Sequence, residues 1–134
     1  PVIVGPDSES EQWVSEVAQM AEAPFVVLEK TRRGDRDVSV SAVELDGPHH
    51  GRTPVLVDDI ISTARTMIET VHRLREHDMA APVCIGVHAV FAGDAYDELM
   101  EAGAARVVTC NTIPHPTNEI DVSGLVSDFI TGHI

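Results

Sequence analysis

The chain has 134 residues, 22 of them acidic and nine basic, for a formal net charge of −13. This balance excludes a general nucleic-acid binder, which needs a broad basic face to displace counterions. It also excludes attachment to anionic membrane through a polybasic segment.

Pro1 leads at once into Val2-Ile3-Val4, a buried-type strand with no preceding Met, so the chain reads as a domain of something longer. One domain with an aliphatic core is expected, since 43% of residues are apolar and only 4% aromatic. Gly5-Pro6 breaks the first strand. From Ser8 to Ala21, apolar residues at 13, 14, 17, 18, 20 and 21 and acids at 9, 11 and 16 predict a helix capped by Asp7 or Ser8. Phe25–Leu28 is the next expected strand. Residues 30–37 carry four of the nine basic side chains, Lys30, Arg32, Arg33 and Arg36, contain no apolar residue, and read as a loop. Val38, Val40 and Val43–Leu45 alternate with polar residues and suggest an antiparallel hairpin or edge strand. The Gly-Pro-His-His-Gly run at 47–51 is a turn, and its adjacent His49 and His50 are turn residues rather than a metal pair.

Pro54–Val57 is an apolar strand ending in Asp58-Asp59. Met67, Ile68, Val71 and Leu74 give helical spacing from Thr66 to about His77. Val83–Val90 is the longest apolar run and a candidate central strand. Asp94–Ala102 is helical and stops at Gly103, a natural C-cap. Arg106–Thr109 is another strand and Gly124–Ile130 a closing helix. Cys84 and Cys110 lie in strand-like runs and are expected as buried, reduced thiols of a cytoplasmic protein. The alternation predicts an α/β fold: a doubly wound, mostly parallel sheet with helices on both faces and a short antiparallel flap or edge strand. Ligands of such sheets bind beyond the C-terminal ends of the strands, near the switch point. That rule singles out Gly5–Ser8, Lys30–Arg36, Asp58–Thr66, His88–Gly93 and Thr109–Pro114.

The segment Val55-Leu56-Val57-Asp58-Asp59-Ile60-Ile61-Ser62-Thr63-Ala64-Arg65-Thr66-Met67 carries the most chemistry. A strand delivers two adjacent carboxylates, and three hydroxyl residues follow where the next helix begins. Backbone N–H groups at a helix N-terminus, joined by Ser and Thr hydroxyls, can hold a phosphate. The carboxylates beside it can take sugar hydroxyls or a magnesium ion. Together they suit a phosphorylated sugar.

This segment resembles the phosphoribosyl pyrophosphate (PRPP) loop of type I phosphoribosyltransferases, and most closely that of the ribose-phosphate diphosphokinase family. Four other stretches resemble landmarks of the same family, in its order: Val4-Gly5-Pro6-Asp7, Lys30-Thr31-Arg32-Arg33-Gly34-Asp35-Arg36, Phe91-Ala92-Gly93-Asp94-Ala95 and Thr109-Cys110-Asn111-Thr112-Ile113-Pro114. The resemblance spans nearly the whole chain but only the family's C-terminal half. It implies transfer of a diphosphoryl group from ATP to the 1-hydroxyl of ribose 5-phosphate, with Mg2+. Asp58 and Asp59 would then serve the ribose, while Ser62, Thr63, Ala64, Arg65 and Thr66 cradle the 5-phosphate. Lys30 and Arg32 match the catalytic-loop pair, and Asp7 matches an acid at the metal–ATP site. The partners it implies are an N-terminal half of the same enzyme and further copies in a homo-oligomer.

This sequence departs from the family pattern at Ser62, where an acid is common, and at Ala64 and Arg65, where Gly is common. Ordinary helical angles are expected at 64 and 65. Glu9, Glu11 and Trp13 replace Gly and Arg of many members. Two other readings share the segment 58–66: a phosphoribosyltransferase that joins PRPP to a base, and a non-catalytic subunit keeping the fold.

Overall fold

The computed structural model describes residues 1–28, 30–33, 36–39 and 47–134, with segments 30–33 and 36–39 known by their backbone alone. Six strands form one sheet: β1 (Val2–Gly5), β2 (Phe25–Val27), β5 (Pro54–Ile61), β6 (Val83–Ala89), β7 (Arg106–Cys110) and β8 (Asn118–Ile120). Their spatial order is β2-β1-β5-β6-β7-β8, and every neighbouring pair is parallel. Among the described residues four α-helices accompany them: α1 (Glu11–Met20), α2 (Arg65–Glu76), α3 (Ala95–Ala102) and α4 (Ser123–His133).

Alternation along β1 separates two cores. Val2 and Val4 pack with Leu56, Met67, Val71, Leu74, Cys84, Leu99 and Val107. Ile3 points the other way and packs with Val14, Ala18 and Val57. Helices α2 and α3 therefore cover one face and α1 the other, as a doubly wound sheet requires. The winding runs outward from β1 to β2, returns past β1 to β5, and then proceeds through β6, β7 and β8. The switch point lies between β1 and β5.

Several boundaries differ from the sequence reading. β5 continues to Ile61 and pairs with β6 as far as Ile61 opposite Ala89, so Asp58 and Asp59 lie within the strand rather than at its end. The first helix starts as a 3-10 turn, Ser8–Ser10, whose N-cap Asp7 accepts the Ser10 N–H at 3.0 Å. β8 was not expected; it is three residues long and follows a register shift beside Thr109 and Cys110. The expected loop at 30–37 instead contains β3 (Lys30–Arg33) paired antiparallel with β4 (Arg36–Ser39). The hairpin or edge strand expected over Val38, Val40 and Val43–Leu45 falls mostly at 40–46, outside the described residues. Cys84 and Cys110 are both free and buried. No helix among the described residues is long and apolar enough to cross a membrane.

Candidate functional site

The C-terminal ends of β1 and β5 flank the switch point, and two loops leave from them. After β1 come Pro6 and Asp7. Asp7 is exposed and extended, and one of its carboxylate oxygens is engaged by Ser10. Gly5 is required here because a Cβ would sit 2.7 Å from Ser10 Oγ, which in turn donates to the Asp7 carbonyl at 2.7 Å. This close packing of turn against strand fixes where the Asp7 carboxylate emerges.

On β5, Asp58 is half-buried and Asp59 exposed. Asp58 Oδ1 accepts the Asp59 N–H at 2.9 Å, and Asp59 Oδ1 accepts the Ile60 N–H at 2.8 Å. The Asp58 carboxyl is pushed up to about 6, chiefly because burial disfavours its charge. The backbone N–H of Asp59 opposes this shift, while the Asp59 side chain and the Asp7 charge add to it. Asp7, Asp58 and Asp59 thus form one negative field across the switch point.

Ser62, Thr63 and Ala64 connect β5 to α2. The loop is held by the segment that follows β6, where Phe91 N–H donates to the Ile61 carbonyl at 2.8 Å and Ala92 N–H to the Ser62 carbonyl at 3.0 Å. Ala64 adopts a left-handed conformation, φ +59°, contrary to the ordinary helical angles expected; only Arg65 is helical. Its methyl is buried in the core beside Met67, which holds the turn in place. Ala64 provides no side-chain cap, and the first turn of α2 contains no acid. The first N–H groups of α2 therefore have no capping side chain, and Arg65, Thr63 and Thr66 stand exposed around them. A helix start that combines uncapped donors, hydroxyls and a cation is suited to an anion.

The hydroxyl of Thr112, just beyond β7, ties back to β6. It donates to the Val87 carbonyl at 3.2 Å and therefore accepts from His88 Nδ1, 2.7 Å away. Beyond it, Phe91 takes φ +42° and stacks 4.4 Å from the ring of His115, with Tyr96 edge-on to both. His115 lies in the loop between β7 and β8. The signal for this cluster was Phe91 before Ala92-Gly93, an apolar ring placed where a turn begins.

Of the residues expected to act together, Asp7, Asp58, Asp59, Ser62, Thr63, Ala64, Arg65 and Thr66 all fall at the switch point. Lys30 and Arg32 fall on β3, opposite Ser39 and Asp37, in a ribbon that follows the C-terminal end of β2. Among the described residues no three carboxylate, His or Cys groups form a ready metal cage. The carboxylates of Asp7, Asp58 and Asp59 are hard oxygen donors.

A doubly wound parallel sheet with an anion-ready helix start and paired carboxylates at its switch point is an α/β arrangement whose chemistry suits an anionic ligand. Residues 1–125 match the phosphoribosyl transferase domain, and the chain belongs to that family. Among curated relatives, the ribose-phosphate pyrophosphokinase of Methanopyrus kandleri is 31% identical over 96% of this chain and 44% of its own length. That of Sulfurisphaera tokodaii is 31% identical over 91% of this chain and 42% of its length. The crystal structure of phosphoribosylpyrophosphate synthetase from Mycobacterium smegmatis superposes with a TM-score of 0.79 at 27% identity, over 98% of this chain and 44% of that one. Orotate phosphoribosyltransferase from Aeropyrum pernix, 17% identical with a TM-score of 0.61, shares the fold over 83% of this chain and 61% of its own. The chain spans less than half the length of the pyrophosphokinases it matches.

Proposed function

We propose that the chain is the C-terminal, ribose 5-phosphate-binding domain of a ribose-phosphate diphosphokinase. That enzyme makes PRPP and AMP from ribose 5-phosphate and ATP in the cytoplasm. The observation that carries this reading is the junction at the switch point: Asp58 and Asp59 stand within one short loop of the uncapped start of α2.

The N–H groups opening α2, with the Ser62, Thr63 and Thr66 hydroxyls and the Arg65 guanidinium, hold the 5-phosphate. Asp58 and Asp59 accept hydrogen bonds from ribose hydroxyls and so orient the 1-hydroxyl. That oxygen forms a bond to the β-phosphorus of ATP, the bond from the α-phosphate's bridging oxygen breaks, AMP departs, and the hydroxyl proton is lost. Charge builds on the phosphoryl oxygens, so positioning and cationic stabilisation dominate. Lys30 and Arg32 supply that stabilisation and exclude water.

A bound magnesium would supply positive charge to offset the negative charge of the phosphates. The donors at the switch point are carboxylate oxygens, as a hard cation prefers, and Asp7 would hold it together with substrate phosphates. The N-terminal half of the enzyme completes the ATP site, and the whole assembles as a homo-oligomer. The free, buried Cys84 and Cys110 are compatible with a reducing compartment.

Two measurements test the reading. Calorimetry should show weak ribose 5-phosphate binding to the 134-residue chain, and no binding at millimolar ligand overturns the site. In the complete enzyme, AMP release from ATP and ribose 5-phosphate should collapse with Lys30→Ala; unchanged turnover removes Lys30 from the mechanism.

A further inference from the structure

The segment that follows β6 is strained where it grips the Ser62–Thr66 loop. Phe91 takes φ +42°, a conformation that L side chains rarely adopt and that persists only where the surroundings impose it. From that conformation its N–H and that of Ala92 reach the Ile61 and Ser62 carbonyls at 2.8 and 3.0 Å. The junction of β5 with the loop is therefore set by a backbone that needs support from outside itself.

The Phe91 ring receives that support. It packs against the larger core cluster and meets two other rings. His115 lies 4.4 Å away between centroids, tilted by 38°. Tyr96, the second residue of α3, lies 5.6 Å away and edge-on, and it is also edge-on to His115 at 5.5 Å. The rings thus come together from the end of β6, the start of α3 and the loop between β7 and β8, in the tilted and edge-on arrangements that aromatic rings prefer.

His115 is the anchored member. Thr117 donates to its Nδ1 twice, from the N–H at 3.2 Å and from the hydroxyl at 2.8 Å. The Thr117 hydroxyl accepts from that of Thr109 at 2.8 Å, which accepts from the Asn118 amide at 2.9 Å. Thr109 and Thr117 are both buried. The Asn118 amide also donates to the Cys110 carbonyl at 2.9 Å, and Asn118 Oδ1 accepts the His115 N–H at 3.0 Å. Turning the imidazole over would leave the Thr117 donors without their acceptor, which is costly in a buried network. The sheet edge at β7 and β8 therefore fixes the His115 ring, and that ring lies against Phe91.

We propose that His115 is a positioning residue for the phosphate cradle. Its ring pins Phe91 in the left-handed conformation, from which the Phe91 and Ala92 N–H groups place Ile61 and Ser62. The inference rests on the reading of Ser62–Thr66 as the cradle for the 5-phosphate. His115 acts through Phe91 and not on the ligand.

The test uses the 134-residue chain and two readouts. Calorimetry gives ribose 5-phosphate affinity. Hydrogen exchange at the Phe91 and Ala92 amides is measured relative to core amides of β5 and β7, which report global opening. His115→Ala should weaken binding and speed this relative exchange, each by about two- to tenfold, the range of one aromatic pair. His115→Phe, which keeps a ring without Nδ1, should restore both. His115→Asn, which keeps an acceptor without a ring, should not. The reverse order overturns the proposal, and so does wild-type behaviour of His115→Ala. Should circular dichroism show His115→Phe unfolded, a cycle with Phe91→Ala decides. The double variant should then be no worse than Phe91→Ala alone, and additive losses overturn the proposal. Faster exchange in His115→Ala with unaltered affinity also overturns it. If the wild-type chain does not bind ribose 5-phosphate, the reading of the cradle fails, and exchange alone decides whether His115 positions the loop.

Discussion

Ile61 occupies the space that a side chain at position 86 would need. A Cβ built on Gly86 would lie 2.5 Å from both Cγ1 and Cδ1 of Ile61, across the β5–β6 pair. Ile61 is the last residue before the Ser62–Thr66 loop, so the packing of these two residues sets where the candidate phosphate cradle begins. Gly86→Ala should cost about 1–3 kcal/mol, the usual penalty for overfilling a packed core. Urea denaturation reads this directly, and wild-type stability in the variant contradicts it. Pairing Gly86→Ala with Ile61→Val should recover part of the loss.

Ala64 makes a second prediction about the same loop. In an ordinary helical conformation, replacing it by Gly would cost about 1 kcal/mol. At φ +59° the strain relieved by Gly, about 1–2 kcal/mol, offsets the lost methyl burial and the added chain entropy. Ala64→Gly should therefore be close to neutral, and Ala64→Val should lose about 1–3 kcal/mol through strain at a β-branched residue. Thermal unfolding of both variants decides. A large loss for Gly together with tolerance of Val places residue 64 in the helix instead.

Asp58 should make stability fall as pH rises. Its folded pKa, about 6, lies above the ordinary 3.8. The unfolded state then holds fewer protons than the folded state between those values. This group's contribution is fully present below about pH 4 and is lost as pH climbs through about 6. Asp58→Asn should flatten that part of the profile and raise stability at pH 7. A divalent cation should act in the same direction on the wild type, by neutralising the Asp7–Asp58–Asp59 field, and should do less for the variant. Denaturation midpoints across pH 4–7 check all three statements.

Thr63→Ala and Thr66→Ala should each weaken ribose 5-phosphate binding by about 1.5–3 kcal/mol, the range for a hydrogen bond to a charged group. Arg65→Ala should weaken it as well and, unlike the Thr changes, should reduce its dependence on salt. Calorimetry at two ionic strengths separates the two effects. Equal salt dependence in Arg65→Ala and wild type removes the guanidinium from the phosphate site.

Hydrophobic patterning carried most of the fold. Val2–Val4 is buried on both faces, while Val55–Val57 and Val83–Ala89 are buried on one face and half-buried on the other, and such strands read as continuous apolar runs. The pattern failed where other forces decide. β5 runs on through Asp58 and Asp59 because β6 continues beside it and supplies ladder partners up to Ala89, which polarity alone does not reveal. β8 is too short to show a period, and its position depends on Thr109–Thr117 and Asn118–Cys110 hydrogen bonds. At the site, Asp58 and the hydroxyl cluster were legible from residue type and order. The left-handed Ala64 was not, because its conformation is set by the buried methyl and by the hydrogen bonds from Phe91 and Ala92. The contact of Phe91 with His115 joins residues of separate loops, and local patterning does not report such a contact.

The position of β1 has a kinetic consequence. This strand precedes both β2 and β5 in sequence, yet it lies between them in the sheet, paired with β2 on one side and with Pro54–Leu56 of β5 on the other. Two-sided pairing of β1 therefore waits until everything up to residue 56 is available, and closing so long a loop is slow. Until then Val2, Ile3 and Val4 present an open strand edge to any neighbouring chain. During synthesis, β1 therefore keeps one edge open for as long as the chain between β2 and β5 is being made.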